Sequence, residues 1–236
     1  MPPDTAGAQP ATTPWDTLRG WLHRRDMTVL EPSWDGQRQC VSCCGPVRPG
    51  YPRCFQCGLH EEVGAGMLAD VVAPVAYAHK GGQLARDLWV YKSAREGAAE
   101  AGTALLTSLL VFLHDHGPVV WQRAGMPGPT HACVVPSGRG RPGPHPLRVL
   151  VRGCLALPWV SLAASPGGDP WARLLDPDRF AAQCSLAGAG VLLLDDTWTS
   201  GATAQSAALA LKRAGARQVA VVVLGRHTSA RTPPGQ

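Results

Sequence analysis

The second half of the chain alternates between short, continuous apolar runs and longer segments in which apolar residues recur at helical spacing. The runs that predict strands are 131–137 (HACVVPS), 159–164 (WVSLAA), 191–194 (VLLL) and 218–225 (QVAVVVLG). Segments 146–157 and 203–216 lie between these runs and predict helices. Continuous apolar strands that alternate with helices are typical of a parallel sheet that is buried on both faces. The pattern therefore predicts an α/β fold with a parallel sheet flanked by helices.

The first half of the chain has a different pattern, dominated by helical spacing. Helices are predicted over 15–26, 82–92 and 95–117. The segment 69–80 (ADVVAPVAYAHK) is rich in β-forming residues and contains Pro74, which predicts an edge strand. The apolar stretch 103–113 is expected to lie in the core or in a subunit interface.

The segment 191–203 (VLLLDDTWTSGAT) carries the clearest candidate chemistry. Two carboxylates, Asp195 and Asp196, follow the apolar run, and a loop with four hydroxyl side chains leads into the next predicted helix. The loop residues are Thr197, Trp198, Thr199, Ser200, Gly201, Ala202 and Thr203. Loop amides and a helix N-terminus attract phosphate, and carboxylates accept hydrogen bonds from ribose hydroxyls or reach Mg²⁺. The arrangement predicts a site for a phosphorylated sugar.

A second loop with suitable chemistry follows the predicted strand 131–137. It combines small residues with two cations: Ser137, Gly138, Arg139, Gly140 and Arg141. Ligands of open parallel sheets bind at the carboxyl ends of strands, so this loop and Asp195 are expected at the same edge. Arginines make bidentate contacts with phosphate oxygens. A solvated surface loop is the alternative.

The cysteines predict a metal site near the N-terminus. Two CxxC pairs occur, Cys40 with Cys43 and Cys54 with Cys57. Two thiolates from each of two tight turns complete a tetrahedral Zn²⁺ site of the structural type. Cys44 could replace Cys43, and a redox or nucleic-acid-facing ribbon is a further alternative. The remaining cysteines, expected in the core, are Cys133, Cys154 and Cys184.

Charge and composition indicate a globular protein without a nucleic-acid-binding arm. The formal net charge is +5, and the basic residues form no block of the kind that marks a nucleic-acid-binding arm. The 45% hydrophobic content allows a sizeable core. We expect a cytoplasmic protein without membrane contact, because neither an apolar run of about 18 residues nor a secretory pattern is found. Eight cysteines in that compartment favour metal binding or core packing over disulfides.

Changes in composition divide the chain into segments. Disordered termini are expected over 1–14 and 229–236, and a helical lead-in is expected over 15–37. A cysteine-rich zinc ribbon is predicted over 38–60, and the α/β domain is predicted over 69–228. Within that domain, 165–178 is rich in Gly, Pro and Asp and predicts a mobile loop.

The segment 191–203 resembles the signature of type I phosphoribosyltransferases that binds 5-phosphoribosyl 1-diphosphate (PRPP). That signature joins apolar residues, two acidic residues and a Thr/Gly-rich loop in this order. A four-cysteine ribbon ahead of such a domain resembles the ComF-type family, which is associated with DNA uptake in competent bacteria. The resemblance covers about residues 38–225 and includes the pair Tyr91-Lys92 and the triplet 178–180 (DRF).

The resemblance implies a type I phosphoribosyltransferase-like fold and a role for each motif. Asp195 and Asp196 would hold the ribose hydroxyls and stabilise developing positive charge, and 199–203 would bind the 5′-phosphate. The loop 137–141 would bind pyrophosphate, and the triplet 178–180 would form a lid over the site or a plain turn. Lys92 would reach the pyrophosphate of a neighbouring site in a homodimer.

Two classes of function are compatible with these motifs. The first is an enzyme that uses Mg²⁺ and transfers phosphoribose from PRPP to a nitrogen nucleophile, releasing pyrophosphate. The second is a sensor or adaptor that binds PRPP or a nucleotide without turnover, with the zinc ribbon as a docking module for nucleic acid. Trp198 would either stack on a substrate or cover the edge of the core, and His145 is expected to be structural.

Overall fold

The computed structural model describes residues 12–137, 143–165 and 173–228. The disorder expected over 1–14 and 229–236 therefore falls almost wholly outside the described residues, as does half of the loop predicted over 165–178. At the first boundary, Thr13 caps a helix that already includes Pro14, so the helical lead-in begins slightly earlier than expected.

The described residues form six helices and seven strands. The helices are α1 (Pro14–Arg24), α2 (Phe55–Gly64), α3 (Gln83–Val90), α4 (Ala98–Ala124), α5 (Pro146–Val151) and α6 (Ala202–Arg213). The strands are β1 (Val71–His79), β2 (His131–Val134), β3 (Trp159–Val160), β4 (Leu162–Ala164), β5 (Phe180–Ala182), β6 (Gly190–Trp198) and β7 (Gln218–Thr228).

Five of the strands form one parallel sheet in the order β1-β7-β6-β2-β3, and β4 pairs with β5 in a separate antiparallel ribbon. The predicted α/β class is confirmed. β1, which contains Pro74, is the edge strand that the proline indicated, while β6 and β7 lie inside the sheet. Their side chains are buried on both faces, which explains the uninterrupted apolar runs.

Helices cover both faces of the sheet. α1, α3, α4 and α5 pack on one face with Leu192, Leu194 and Val222, and α6 packs on the other with Leu193 and Val221. α4 is long and apolar enough to cross a membrane, but its central residues are buried against β1 and β7, which identifies it as a core helix. Of the two positions expected for 103–113, the core is the one observed.

The cysteine-rich segment and the residues before it cover the free edge of β1. The amide of Leu30 donates to the carbonyl of Val75 at 2.8 Å, and the indole Nε1 of Trp34 donates to the carbonyl of Val72 at 3.0 Å. The hydroxyl of Tyr77, on β1, donates to the carbonyl of Cys44 at 2.6 Å. These contacts satisfy polar backbone groups of an edge strand that would otherwise remain open to pairing with another chain.

Five details differ from the sequence-based expectations. α4 continues beyond residue 117 through Pro118 to Ala124, and Gly125, with a positive φ of 74°, caps its C-terminus. α5 ends at Val151 rather than at 157. The run 159–164 divides between β3 and β4, which belong to different sheets. Cys133 is buried as expected, but the expectation for Cys154 and Cys184 was wrong because both are exposed. β6 extends through Trp198, so the two aspartates lie within the strand.

Candidate functional site

The two aspartates of β6 point to opposite faces of the sheet. Asp195 lies in register with Val223 of β7, and the pairing continues as far as Trp198. Since successive side chains of a strand alternate, Asp195 shares the face of Leu193, against α6, and Asp196 shares the face of Leu194, against α3 and α4. The carboxylates therefore have different surroundings and different partners.

Asp196 is held by two side chains that directly follow α3. Lys92 Nζ lies 2.6 Å from its Oδ2, and the hydroxyl of Tyr91 donates to the same oxygen at 2.6 Å. Asp196 is only 5% exposed. Burial alone would raise the pKa of this carboxyl group, but the charge of Lys92 and the hydrogen bonds from Lys92 and Tyr91 outweigh it and lower the pKa. Asp196 is therefore an ionised carboxylate.

Among the described residues, no cation forms an ion pair with Asp195, and the charge of Lys92 lowers its pKa only in part. Its Oδ1 accepts the amide of Asp196 at 2.8 Å. Burial, and then the negative charge of Asp196, raise the pKa of Asp195 well above the ordinary value of 3.8. One strand thus carries two adjacent carboxyl groups whose pKa values are shifted in opposite directions, a combination that is frequent at functional sites.

The loop after β6 forms the N-terminus of α6. Gly201 caps this helix with a φ of 82°, a backbone conformation that residues other than glycine rarely adopt. A Cβ at this position would also overlap the indole of Trp198. Trp198 is 1% exposed, so its alternative role as an edge of the core is the one observed. Ser200 Oγ accepts the amide of Ala202 at 3.3 Å.

The hydroxyl residues around this turn are accessible to different degrees. Thr199 is exposed, whereas Thr197, Ser200 and Thr203 are half-buried. The amides of the first turn of a helix have no intrahelical acceptor, and they point toward the space in front of the N-terminus. The segment that the sequence singled out is therefore an anion-attracting turn, joined to the strand that carries the aspartates.

The second predicted loop is partly described. Ser137 follows β2, and the amide of Val135 donates to the carbonyl of Leu194 at 2.9 Å, so this chain segment leaves the sheet beside Asp195. Gly138, Arg139 and Arg141 lie outside the described residues. The expectation that Ser137 and Asp195 share one edge of the sheet agrees with this register.

Two further residues belong to the site. Tyr91 had no predicted role beyond its place in the pair that resembles the ComF-type family, yet its hydroxyl donates directly to Asp196. Lys92 contacts the same aspartate, in its own chain. The sequence placed this pair only after a predicted strand and helix, and no local pattern indicated that it would contact Asp196. His145 caps α5 through its Nδ1, which accepts the amide of Leu147 at 3.2 Å.

The triplet 178–180 does not form an exposed lid. Arg179 and Phe180 are buried, and Phe180 begins β5, which pairs with β4. Asp178 forms an ion pair with Arg213 of α6 at 2.8 Å. The plain turn describes the triplet better, although the strand β5 follows it rather than the short helix expected with that alternative.

The four predicted cysteine ligands come together in one cluster. The sulfur atoms of Cys40, Cys43, Cys54 and Cys57 all lie within 4.8 Å of one another. The Sγ atoms of Cys43 and Cys54 are 3.8 Å apart, which matches the edge of about 3.8 Å that a tetrahedron with Zn–S bonds of about 2.3 Å requires. The amide of Cys54 also donates to Cys40 Sγ at 3.4 Å. The cluster is positioned to bind a metal ion, and its geometry fits structural zinc.

Cys44 lies outside this cluster, which decides between the two candidates for the second ligand. Its Sγ donates to the carbonyl of Val72 at 3.7 Å, and burial raises the pKa of the Cys44 thiol to about 12. The Cys44 sulfur is therefore engaged with β1 and does not join the four clustered sulfurs.

The carboxyl groups of Asp195 and Asp196 form a less complete metal site for Mg²⁺ than the four cysteines form for zinc. In the described ranges, the four cysteines are the only group of three or more side chains placed to hold a metal together. Mg²⁺ binds through one or two carboxylates and completes its coordination with water and substrate phosphates. Asp196, whose pKa is lowered, fits the role of such a carboxylate, and a diphosphate would supply further oxygens.

Comparison with known proteins adds two distant structural likenesses. No family model and no curated protein matches this chain. A purine phosphoribosyltransferase from Pyrococcus horikoshii superposes with a TM-score of 0.31 at 13% identity, over 56% of this chain and 91% of that one. An adenine phosphoribosyltransferase from Leishmania donovani superposes with a TM-score of 0.30 at 14% identity, over 69% of this chain and 90% of that one. Superpositions this loose carry no argument about function.

Proposed function

We propose that this chain binds PRPP at the carboxyl edge of the sheet and transfers its phosphoribosyl group to a nitrogen nucleophile, with release of pyrophosphate. One observation carries the proposal. β6 carries two neighbouring carboxyl groups, Asp196 buried and Asp195 half-buried. Only three residues (199–201) separate the end of this strand from the N-terminus of α6, where the Gly201 turn attracts anions. A ligand that joins ribose hydroxyls to a 5′-phosphate matches both halves of this arrangement.

Each part of the site has a defined task in this reaction. The turn 199–203 receives the 5′-phosphate through backbone amides and hydroxyls. The carboxyl groups of Asp195 and Asp196 accept hydrogen bonds from the ribose hydroxyls. The bond from the anomeric carbon to pyrophosphate breaks as the bond to nitrogen forms, and positive charge develops on the ring, which nearby carboxylates stabilise. Mg²⁺, when bound with the diphosphate, would neutralise charge on the leaving group.

Lys92 and Tyr91 support this task from the protein side. By pairing with Asp196 Oδ2, they keep one carboxylate ionised in a buried setting and leave its other oxygen for a ligand hydroxyl. The proposed pyrophosphate site includes Ser137 with Gly138, Arg139 and Arg141. The cysteine cluster would be closed by four thiolates around the metal ion, so its proposed role is structural. The proposed location of the protein is the cytoplasm.

A binder without turnover is the second candidate, and the engagement of Asp196 favours it. A carboxylate that already has two protein partners is less free to respond to charge that develops on a substrate. In this case PRPP or a nucleotide would be sensed, and the ribbon would dock a partner, as the resemblance to the ComF-type family implies.

Two measurements with one matched control test these candidates. Isothermal titration of PRPP with Mg²⁺ should give saturable binding to the full chain, and pyrophosphate release should be followed over a panel of nitrogen nucleophiles: adenine, guanine, uracil, orotate and ammonia. The double variant Asp195→Asn/Asp196→Asn should lose binding, whereas the control Glu31→Gln/Glu62→Gln, which changes two exposed carboxylates, should keep it. Binding without release from any acceptor supports the sensor, and no binding of PRPP or nucleotide contradicts both candidates.

A further inference from the structure

A buried arginine from the sheet contacts the cysteine cluster. Arg226, near the end of β7, is only 7% exposed. Its Nη2 donates to Cys43 Sγ at 3.2 Å, and its Nε donates to the carbonyl of Cys43 at 3.2 Å. Nη1 donates to the carbonyl of His227 at 3.0 Å. All three guanidinium nitrogens therefore have acceptors, and two of those acceptors belong to a single predicted metal ligand.

The charge of the cluster explains why a cation is needed there. Four thiolates around a divalent ion carry a net charge of −2, and a buried net charge is costly unless it is paired and hydrogen-bonded. Within the described part of the chain, Arg226 is the cationic side chain that donates to a sulfur of the cluster. A donor to a ligand atom also fixes its orientation, and loss of such a partner typically weakens metal binding by about 10–100-fold.

The ribbon has a matching feature that makes room for this arginine. Gly45 is buried, two residues after Cys43, and a Cβ at Gly45 would overlap the Nη2, Cζ and Nε atoms of Arg226. The φ of Gly45 is not in the left-handed region, so its backbone does not require glycine. The space occupied by the guanidinium does require it. Two positions far apart in sequence thus form one fitted contact.

We propose that Arg226 is a positioning residue for the metal centre: it orients the Cys43 thiolate and neutralises part of the charge of the loaded cluster. The α/β sheet therefore contributes directly to metal affinity, although all four ligands come from the ribbon. This role concerns the cluster alone and does not depend on the proposed phosphoribosyl transfer.

Metal affinity of the full chain provides the test. Zn²⁺ binding should be measured by competition with a chromophoric chelator for the unchanged protein and for Arg226→Met, Arg226→Lys and Gly45→Ala. We expect Arg226→Met to weaken Zn²⁺ binding by about 10–100-fold. Arg226→Lys should weaken it less, because a cation remains without the forked geometry. Gly45→Ala should weaken it while both the arginine and the four cysteines are still present.

A second readout separates positioning from general stabilisation. Alkylation by iodoacetamide should release Zn²⁺ faster from Arg226→Met, since a thiolate that loses its cationic donor is a better nucleophile. The absorption of the Co²⁺-substituted variants checks that all four thiolates still bind. Arg48→Met, at an exposed position of the ribbon, removes the same charge and should match the unchanged protein in both assays.

Two results would overturn the proposal. One is an Arg226→Met variant that folds and binds Zn²⁺ within twofold of the unchanged protein. The other is an equal loss of affinity in Arg48→Met. Should Arg226→Met not fold, Arg226→Lys and Gly45→Ala decide by the same criterion, and unchanged affinity and alkylation rate in both contradict the assignment.

Discussion

Lys92 Nζ lies 2.6 Å from Asp196 Oδ2, and this contact joins the segment after α3 to the central strand β6. The side chain of Asp196 is 8% exposed and that of Lys92 is 27% exposed, so the pair is mostly withdrawn from water. Removing one partner of such a pair leaves a buried charge without compensation. The resulting loss in the free energy of unfolding is larger than the net contribution of the intact pair. The consequences can be measured.

Lys92→Met should destabilise the protein by about 1–3 kcal/mol at pH 7, because Asp196 remains buried and, among the described residues, keeps only the hydrogen bond from Tyr91. Urea unfolding followed by circular dichroism measures this change. The double variant Lys92→Met/Asp196→Asn should lose less than the sum of the two single variants, with an interaction energy of about 0.5–3 kcal/mol. Strictly additive effects would show that the two side chains do not interact in solution.

Asp195→Asn should stabilise the protein relative to the unchanged chain, and this gain in stability should increase as the pH rises. The pKa of Asp195 in the folded state is raised above its ordinary value of 3.8, mainly by burial. The folded state therefore favours the protonated group, and the stability associated with it is lost as the pH rises through the raised pKa. The asparagine does not ionise, so its advantage should be absent near pH 4 and should grow toward alkaline pH. Thermal unfolding over this pH range measures it.

Asp115→Asn is the control for this pH dependence, because the pKa of Asp115 is shifted in the opposite direction. A hydrogen bond from Arg19 lowers the pKa of Asp115 to about 2, so its contribution to stability is present above pH 4 and is lost as the pH falls toward 2. The variant should therefore be less stable than the unchanged protein at neutral pH, and this difference should shrink in acid. The same trend in both variants would contradict the assigned shifts.

Gly201→Ala should destabilise the protein by about 1–3 kcal/mol and disrupt the proposed phosphate-binding turn, because alanine meets both a positive φ and the indole of Trp198. Gly153→Ala is a suitable comparison, since Gly153 has neither a positive φ nor an atom within 4 Å of the added Cβ. Thermal unfolding and titration of PRPP measure the two effects. Equal stability of both variants would mean that the loop relaxes without strain.

Cys43→Ser should lose the bound metal, whereas Cys44→Ser should keep it. The two residues are adjacent, yet only Cys43 belongs to the cluster of four sulfurs. Elemental analysis of the purified variants should find about one zinc per chain in Cys44→Ser and in the unchanged protein, and much less in Cys43→Ser. Retention of zinc by Cys43→Ser together with its loss from Cys44→Ser would reverse the ligand assignment.

The fold and its main elements could be predicted from local pattern. The runs in β6 and β7 are apolar without interruption because both faces of these strands are buried, and Pro74 marked β1 as an edge strand. The end of β6 could not be predicted, since polar residues after Leu194 resemble a loop. They continue as strand because β7 extends alongside them as far as Arg226.

The candidate site was predicted in its components and only partly in its contacts. The sequence by itself determined that a parallel sheet forms, that carboxylates and a hydroxyl turn follow one another after a buried strand, and that four cysteines occur at metal-binding spacing. Each of these depends on neighbouring residues and local backbone geometry. Tertiary structure alone decided that Tyr91 and Lys92 meet Asp196, about a hundred residues away, that Cys43 rather than Cys44 joins the cluster, and that Arg226 lies over Gly45. These contacts depend on how the ribbon and α3 pack against the sheet. They could not be predicted because the spacing of residues along the chain does not determine the distance between packed elements.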